Sequence, residues 1–316
     1  MTEVTIALAG DTMLGRKVAE AISGTQSLLS DEVVEITRAA DLFVLNLECC
    51  ISERGSRWPE PGKPFFFRAP PAATDVLARL GVDCVTLANN HALDYGTDAL
   101  LDTFEHLRSA GIAWVGAGPT RADARAPAVL EAKGLRLAVL GCSDHPAGFA
   151  ATDDAPGIAY ADLRHGPDWL LAAITALDAD VVLVTPHWGP NMTPRPLSYV
   201  RRAATALRGA GATLVAGHSA HVFHGIAPPI LYDLGDFLDD YAVDPTLRND
   251  LGLLFLVTLD EHGPLRIEAV PLELSYCHTG LAHGDDAAWI RRRYRAACAE
   301  LGTEVAEEGG RVVWVA

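Results

Sequence analysis

Short apolar runs alternate along the chain with longer segments in which apolar positions recur every three or four residues. The short runs predict buried strands, and the longer segments predict amphipathic helices that cover a sheet. The predicted strands are residues 4–9, 41–47, 83–88, 113–115, 135–141, 181–185, 213–216, 230–234, 253–259, 267–274 and 311–315. The predicted helices are residues 31–40, 72–80, 96–110, 169–177, 199–208 and 285–301. This alternation favours an α/β fold with several parallel strand pairs.

Five of the predicted strands end in side chains that can bind a metal or move a proton. They are Asp11, Glu48, Asn89-Asn90-His91, His187 and the segment 218–221. Ligands of open α/β sheets collect outside the carboxyl ends of the strands. The recurrence therefore predicts a metal or acid/base site at one edge of the sheet.

The segment 214–241 carries the densest set of such side chains, with three histidines and four aspartates around two predicted strands. Unpaired polar groups are costly to bury, so side chains at these strand ends pair with one another or hold a metal. The alternative is a solvated loop that happens to be rich in histidine and aspartate.

Composition excludes several classes of function. The net charge of −16 argues against a nucleic-acid groove. No segment reaches the roughly 20 apolar residues of a membrane span, and the first residues lack the pattern of a signal peptide. The six cysteines show no pairing pattern, which fits free thiols in a reducing compartment. We therefore expect a cytoplasmic protein without a membrane or nucleic-acid partner.

Five motif segments, in this combination and order, resemble the CapA family: 10–11 (GD), 46–48 (NLE), 89–91 (NNH) with 94–96 (DYG), 187–189 (HWG) and 217–221 (GHSAH). That family is named for capsule and poly-γ-glutamate synthesis and is similar to calcineurin-like metallophosphoesterases. The resemblance runs from residue 4 to about residue 274. It implies a calcineurin-like four-layer α/β/β/α sandwich with a metal site at one edge of two packed sheets. We expect residues 1–274 to form this domain and residues 275–316 to add a C-terminal helix and strand that pack on it.

The chain departs from the phosphoesterase pattern at three positions. Met13 replaces a histidine, Glu48 replaces the bridging aspartate, and Ala92 replaces the acidic residue after the Asn-His pair. Two-metal phosphoesterases use such residues to hold both ions around the reacting phosphate. We therefore expect a single metal, or two metals of unequal affinity.

The expected metal ligands are Asp11, Glu48, Asn90 and His218. Their oxygen donors favour a hard divalent cation, Ca²⁺, Mg²⁺ or Mn²⁺. Zn²⁺ stays open, because His218 and His187 could shift the preference toward it.

Histidines beyond those ligands are candidates for proton transfer. An imidazole held by an aspartate keeps one tautomer and a basicity suited to neutral pH. Spacing does not decide which carboxylate meets which imidazole. The open pairs are His91 with Asp94 or Asp11, and His187 or His221 with Asp236.

Some CapA-like proteins occur with ribosomally made lasso peptides, where the resemblance implies epimerisation of the C-terminal residue of the precursor. That reaction needs a base on one face of Cα, an acid on the other and stabilisation of an enolate-like intermediate. Two His/Asp pairs beside a metal would supply these groups, and the loop 52–71, with Trp58 and three phenylalanines, could hold an aromatic side chain. We therefore expect a metal-dependent peptide epimerase. The alternatives are a metal-dependent phosphoesterase or other hydrolase, and a component of poly-γ-glutamate or capsule synthesis.

Overall fold

The computed structural model describes residues 2–24, 27–59 and 61–316. The strands in these ranges are β1 (Val4–Thr12), β2 (Leu42–Leu47), β3 (Cys50–Ile51), β4 (Arg68–Ala69), β5 (Cys84–Thr86), β6 (Ala113–Val115), β7 (Ala117–Gly118), β8 (Ala128–Ala132), β9 (Leu135–Ser143), β10 (Gly157–Ile158), β11 (Val181–His187), β12 (Leu214–Ala216), β13 (Ile226–Ala227), β14 (Ile230–Leu231), β15 (Asp236–Leu238), β16 (Leu251–Asp260), β17 (Gly263–Ser275), β18 (His278–Leu281), β19 (Ala306–Glu308) and β20 (Arg311–Val315). The α-helices are α1 (Arg16–Ile22), α2 (Asp31–Ala39), α3 (Ala73–Leu80), α4 (Gly96–Ser109), α5 (Arg121–Ala124), α6 (Asp168–Ala176), α7 (Ser198–Gly209) and α8 (Gly284–Glu300).

Local sequence signals explain where several helices begin and end. The hydroxyl of Ser30 accepts the backbone N–H of Val33 and so caps the first turn of α2. Asp31 and Glu32 follow in that turn, where the helix dipole favours negative charge. Helix α3 ends at Gly81, whose φ of 77° lies in the left-handed region that glycine adopts without strain.

The larger sheet is organised around β1. Its strands lie in the order β19-β20-β17-β16-β1-β2-β5-β6, with β15 beside the end of β1 and β18 beside β17. Strands β1, β2, β5 and β6 are parallel, and β15 is parallel to β1. Strands β16 and β17 form an antiparallel hairpin along the other side of β1.

The second sheet has the order β13-β14-β12-β11-β9-β8. Its central strands β9, β11, β12 and β14 are parallel, whereas β8 and β13 pair antiparallel at the two edges. In both sheets, the strands that carry predicted site residues are thus parallel neighbours.

The two sheets pack face to face, and helices cover both outer surfaces. Ile6 and Leu8 of β1 share an apolar cluster with Leu183 of β11 and Leu214 of β12, which is the core between the sheets. The opposite face of the larger sheet packs on α1 to α4, and the opposite face of the second sheet packs on α6 and α7. The expected four-layer α/β/β/α sandwich is therefore confirmed.

The C-terminal segment takes part in this core. Ile290, Tyr294 and Cys298 of α8 are buried in the cluster between the sheets. Strand β20 extends the larger sheet by pairing with β17. Helix α8 therefore closes the core at one side of the sandwich.

The predicted strands and helices are found with small shifts at their ends. Several short elements were not predicted, because each is too short for a clear apolar pattern: helices α1 and α5 and strands β3, β4, β7, β8, β10, β13, β15, β18 and β19. The six cysteines are free and buried, as the absence of a pairing pattern indicated. In the part of the chain that the structure describes, no helix has the length and hydropathy needed to cross a bilayer.

Candidate active site

Strand β1 carries Asp11 to the edge at which the two sheets meet. Asp11 pairs in register with Asn46 on β2 and with Asp236 on β15. In the second sheet, His187 ends β11 and bridges to His218, which follows β12. All five side chains are buried. The strand ends of both sheets thus enclose one polar centre inside an otherwise apolar interior.

The first ligand group consists of Asp11, Glu48, His187 and His218. Ligand atoms of Asp11, His187 and His218 lie within 4.8 Å of one another. The two imidazole Nδ1 atoms are 2.8 Å apart, and Nε2 of His187 is 3.5 Å from Oε1 of Glu48. Two imidazoles and two carboxylates at these distances form a set that can hold a divalent metal.

The second ligand group consists of Asp11, His221 and Asp236, and it shares Asp11 with the first. Nδ1 of His221 lies 2.8 Å from Oδ1 of Asp236 and 3.2 Å from Oδ2 of Asp11. The sequence led us to expect one weak metal position, because Met13 replaces a metal-binding histidine. That expectation did not include Asp236, a further carboxylate that the parallel pairing of β1 with β15 places beside Asp11. Two adjacent groups could therefore each hold a metal.

Several polar atoms of these groups are buried without a hydrogen-bond partner among the described residues. They are Glu48 Oε2, His187 Nε2, His218 Nε2 and Asp236 Oδ2. A buried polar atom left unpaired costs about 1–3 kcal/mol, so such atoms accumulate where a bound group completes them. The donors present therefore fit a divalent metal ion.

Asn46 orients the carboxylates of the first ligand group. Its Nδ2 donates to Oδ1 of Asp11 at 2.7 Å and lies 3.4 Å from Oε1 of Glu48. Its Oδ1 accepts a hydrogen bond of 3.0 Å from Asn89, which also donates to the Leu47 carbonyl. The sequence pattern did not single out Asn46, although it lies two residues before Glu48 at the end of the same strand.

Asn90, a predicted metal ligand, lies after β5. Its Oδ1 is buried and accepts no hydrogen bond from the described residues. Its backbone carbonyl accepts a hydrogen bond of 2.8 Å from Nζ of Lys63. The side-chain oxygen is therefore available to a bound ion, and the role of Asn90 as a ligand stays a prediction.

His91 pairs with Asp94, one of the two partners that the sequence left open. Its Nδ1 lies 2.6 Å from Oδ2 of Asp94, which also accepts the Phe67 backbone N–H at 2.7 Å. Oδ1 of Asp94 is 3.1 Å from Nζ of Lys63, and the Phe67 ring stacks on the imidazole with centroids 4.0 Å apart. Burial lowers the pKa of His91 despite the bond to Asp94, so the ring is a neutral base at pH 7, and the bond to Asp94 uses Nδ1 and not Nε2.

His187 does not pair with Asp236. It contacts His218 and Glu48, so the structure places it among the ligand atoms instead of in an imidazole–aspartate pair. The backbone explains the difference, because Ser219 and His221 have φ values of 121° and 59°. This turn carries His221 away from β12 and toward β15, where it meets Asp236.

The other aspartates of segment 214–241 hold loop backbone. Asp233 accepts the backbone N–H groups of Ala220 and Gly235 at 2.9 Å. Asp239 accepts the Tyr241 N–H at 2.7 Å. The density of aspartates in this segment therefore reflects turn stabilisation as well as the polar centre.

A third imidazole lies beside the first ligand group. The ring centroids of His145 and His187 are 5.1 Å apart. Nδ1 of His145 is 2.5 Å from Oδ1 of Asp144, whose Oδ2 accepts the Tyr199 hydroxyl at 2.7 Å. The strand-end signal was present here too, but the predicted strand ended at residue 141 and β9 continues to Ser143.

A cavity of about 500 Å³ borders this centre. His91 and His221 both line it. Between them lie Phe67 and Tyr241, whose ring centroids are 5.8 Å apart, and the Tyr241 ring is 5.2 Å from that of His221. Two imidazoles, each held by a carboxylate, therefore line one cavity together with an aromatic pair.

Burial and neighbouring charge give the imidazoles different protonation states. Burial lowers the pKa of His187 well below its ordinary value and the pKa of His218 to about 4, so both are neutral at pH 7. Burial also disfavours the charged form of His221, but Asp236 and Asp11 raise its pKa well above the ordinary value. Neutral imidazoles are the form that binds metal, which suits the first ligand group.

We expect the affinity for Mn²⁺ to rise as the pH is raised from the acidic range toward neutrality, because a metal binds only unprotonated ligands. Burial and the charge of Asp11 raise the pKa of Glu48, and burial raises the pKa of Asp236. Metal binding must expel the protons that these groups hold. Calorimetric titrations in buffers of different ionisation enthalpy count the protons released. A pH-independent affinity without proton release would contradict this placement of the carboxylates.

Comparisons with known proteins agree with this architecture. Residues 5–241 match the family described as bacterial capsule synthesis protein PGA_cap. A probable polyglutamine synthesis accessory protein of Mycobacterium tuberculosis (strain ATCC 25618 / H37Rv) is 30% identical, over 96% of this chain and 93% of that protein. The PGA biosynthesis protein CapA of Bacillus subtilis (strain 168) is 30% identical, over 84% of this chain and 70% of its own length.

One solved structure is similar in fold. A hypothetical protein from Thermus thermophilus superposes with a TM-score of 0.52 at 18% sequence identity. The match covers 86% of this chain and all of that chain. At this identity the similarity concerns the arrangement of strands and helices alone.

Proposed function

The chain belongs to the bacterial capsule synthesis protein family PGA_cap, and from this premise we propose that it is a metal-dependent acid/base enzyme that acts on a peptide. One observation carries the proposal: His91 and His221, each held by a carboxylate, line the same cavity beside the two ligand groups. A purely structural pair of imidazoles would not need an open cavity between them.

The pairing decides which nitrogen of each ring can exchange a proton. Asp94 holds Nδ1 of His91, and Asp236 holds Nδ1 of His221. Nε2 is the remaining nitrogen in both rings, so each imidazole offers one defined atom for proton transfer. Because both rings line one cavity and contact the same aromatic pair, a substrate carbon held against Phe67 and Tyr241 would lie close to both imidazoles.

Such an arrangement suits inversion at Cα of a peptide residue. In our proposal one imidazole removes the Cα proton and the other returns a proton to the opposite face. The first ligand group would hold the metal, which when bound supplies electrophilic stabilisation to the developing enolate oxygen. Two imidazoles and two carboxylates suit Mn²⁺ or Zn²⁺ better than Ca²⁺ or Mg²⁺, which prefer oxygen ligands alone.

The two ligand groups should bind metal unequally. In the second group, Nδ1 of His221 is already paired with Asp236 at 2.8 Å, and a metal must displace that bond. In the first group the corresponding 2.8 Å contact joins two neutral imidazoles, which is weaker than an imidazole–carboxylate bond, and Nε2 of both rings lacks a partner among the described residues. We therefore propose the first group as the principal metal position and His221 with Asp236 as a proton-transfer pair.

Turnover in D₂O is expected to place deuterium at Cα of the inverted residue, which we propose to be the C-terminal residue of a peptide. The proton removed by one base is not the one returned by the other, so inverted product acquires solvent label. Mass spectrometry with chiral analysis of the hydrolysed product measures label and inversion together. His91→Gln should stop inversion while His221 still exchanges label into one enantiomer, and His221→Gln should give the mirror result.

Two outcomes would end the epimerase proposal. One is inverted product without deuterium. The other is the absence of Cα exchange in every peptide tried while phosphate esters are hydrolysed. Removal of metal by a chelator should stop both exchange and inversion, which separates enzymatic turnover from slow background racemisation.

A second candidate is metal-assisted hydrolysis of a phosphate ester. It is favoured by Asp11, which both ligand groups share, since two-metal hydrolases place a shared carboxylate between their ions. Hydrolysis of 4-nitrophenyl phosphate that requires a metal and is lost in both Asp11→Asn and Asp236→Asn would support it. We expect that turnover to be slow, because Met13 takes the place of a metal-binding histidine.

A further inference from the structure

We propose that Arg16 binds a free α-carboxylate, so that the cavity takes an N-acylated α-amino acid with an unblocked carboxylate. The proposal rests on the proposed function and narrows its substrate class. Arg16 begins helix α1 and lines the cavity together with His91 and His221. Among the described residues that line this cavity, Arg16 is the single arginine or lysine.

Arg16 is held in place by a buried partner. Its Nε lies 3.2 Å from Oδ2 of Asp240, whose side chain is fully buried. The same Oδ2 accepts the backbone N–H of Lys17 at 3.0 Å, which fixes Asp240 against the start of α1. This contact uses Nε and leaves the two Nη groups, which carry most of the guanidinium N–H donors, for a ligand.

The backbone at Arg16 is strained. Its φ is 51°, in the left-handed region that residues with a side chain seldom adopt. Strain of this kind persists where the surroundings enforce it, and it concentrates at ligand-binding positions. The arginine at this strained position lines the cavity that the two imidazoles border.

A permanent positive charge at this place would attract an anionic ligand. The chain carries a net charge of −16, and the neighbouring centre contains the carboxylates of Asp11, Glu48 and Asp236. A carboxylate would be repelled from these surroundings without a local positive charge. A guanidinium meets a carboxylate with two parallel N–H···O bonds, which fixes its orientation as well as its position.

The same guanidinium would favour loss of the Cα proton. A proton next to a carboxylate is weakly acidic, because its removal adds a second negative charge to the same fragment. An ion pair with Arg16 offsets the first of these charges. The anchor would therefore serve the chemistry as well as the affinity.

The other residues that line the cavity indicate which type of substrate side chain it can hold. Phe65, Phe67, Met192 and Val243 line the cavity, and Phe65 and Val243 are each 53% exposed. Arg16 also lies over the rings of Phe65 and Phe67, 5.4 Å and 5.8 Å from their centroids. Apolar side chains that stay exposed beside a charged anchor favour a ligand with an apolar or aromatic side chain.

Two kinds of ligand carry an acylated nitrogen next to a free α-carboxylate. The C-terminal residue of an ordinary peptide has an acylated nitrogen and a free α-carboxylate. Each residue of a γ-linked glutamate chain has the same pair of groups, because the chain runs through its side chain. The apolar wall favours the C-terminal residue of a peptide, and the experiment below separates the two sources.

The test is a binding measurement on the full chain loaded with Mn²⁺. Calorimetry would compare N-acetyl-L-phenylalanine with N-acetyl-L-phenylalaninamide, which differ only in the charged group. We expect the acid to bind at least about tenfold more tightly than the amide, the usual effect of one charge-assisted contact. Arg16→Gln should remove this preference. Arg57→Gln is the matched control, since Arg57 is exposed on the same loop as Phe65 and lies outside the cavity.

Equal affinities for acid and amide, or a preference that survives Arg16→Gln, would overturn the proposal even if Cα exchange is observed. Tighter binding of the acid that depends on Arg16 supports the proposal even if no Cα exchange occurs. The binding test can therefore succeed or fail independently of the proposed reaction. The third probe is γ-L-glutamyl-L-glutamate. Tighter Arg16-dependent binding of this probe would assign the anchor to γ-linked glutamate, and weaker binding would assign it to peptide C-termini.

Discussion

Asp11→Asn is expected to lower the affinity for a divalent metal by more than about 100-fold, because loss of an outer partner of a metal ligand already costs roughly 10–100-fold. Asp11 belongs to both ligand groups, so the change removes a charge from each of them. The amide keeps the volume of the side chain and an oxygen that can accept the Asn46 hydrogen bond. The fold should therefore persist. Metal content after dialysis in a metal buffer, with circular dichroism of the same sample, measures both effects.

Asp178→Asn is the matched control for this prediction. It makes the same chemical change on a fully exposed side chain and should leave the metal content unaltered. Asp236→Asn separates the two groups, since it should weaken the second and spare the first. Two equally tight metals that both survive Asp11→Asn would contradict the membership of Asp11 in either group.

Asp94→Ala is expected to lower the free energy of unfolding by about 3–5 kcal/mol, as removal of one partner from a buried ion pair does. The Asp94 carboxylate is fully buried and serves Lys63, His91 and the Phe67 backbone at once. The variant leaves the Lys63 ammonium, whose side chain is 10% exposed, with the Asn90 carbonyl as its remaining partner. Urea unfolding at pH 7 in the presence of a chelator measures the loss without a contribution from bound metal.

A second substitution tests the stated cause. Lys63→Met in the Asp94→Ala background removes the unpaired charge, so the double variant should be more stable than Asp94→Ala alone. Asp154→Ala, on an exposed position, should leave the unfolding midpoint unchanged. If the double variant is less stable than Asp94→Ala, the instability comes from lost packing instead of an unpaired ammonium.

The loss of Asp94 should also change the loop 52–71. Apart from Glu60, which lies outside the described residues, this loop reaches the centre through Lys63 and Phe67. The sequence indicated that the loop could hold an aromatic ligand. The structure divides its aromatic residues, because Trp58 packs edge-on against Phe149 whereas Phe65 and Phe67 line the cavity.

Much of the fold could be predicted from local pattern. A buried parallel strand is a short apolar run, and a covering helix has a stripe of apolar side chains, so β2, β11 and α4 are visible without their neighbours. Strand β15 is different, because its three residues include the charged Asp236. It forms only where the end of β1 is present to pair with it.

The residue types that reach the polar centre follow from local pattern along the chain. A strand that runs from the protein interior to the sheet edge delivers its last side chains there whatever lies beside it, so Asp11, Glu48, His187 and His218 follow from strand ends. The C-terminal position of each in its own strand is a local property. It needs no knowledge of the partner strand.

Which of these side chains pair with one another depends on how the whole chain packs. His218 and His221 are three residues apart, yet they contact different groups because the left-handed turn at Ser219 and His221 separates them. Asp236 meets Asp11, far away in the chain, through the register of β1 with β15. Arg16 reaches the cavity through a strained backbone and a buried Asp240. Register, turn geometry and long-range ion pairs depend on the packed chain as a whole, and no local pattern of apolar and polar residues encodes them.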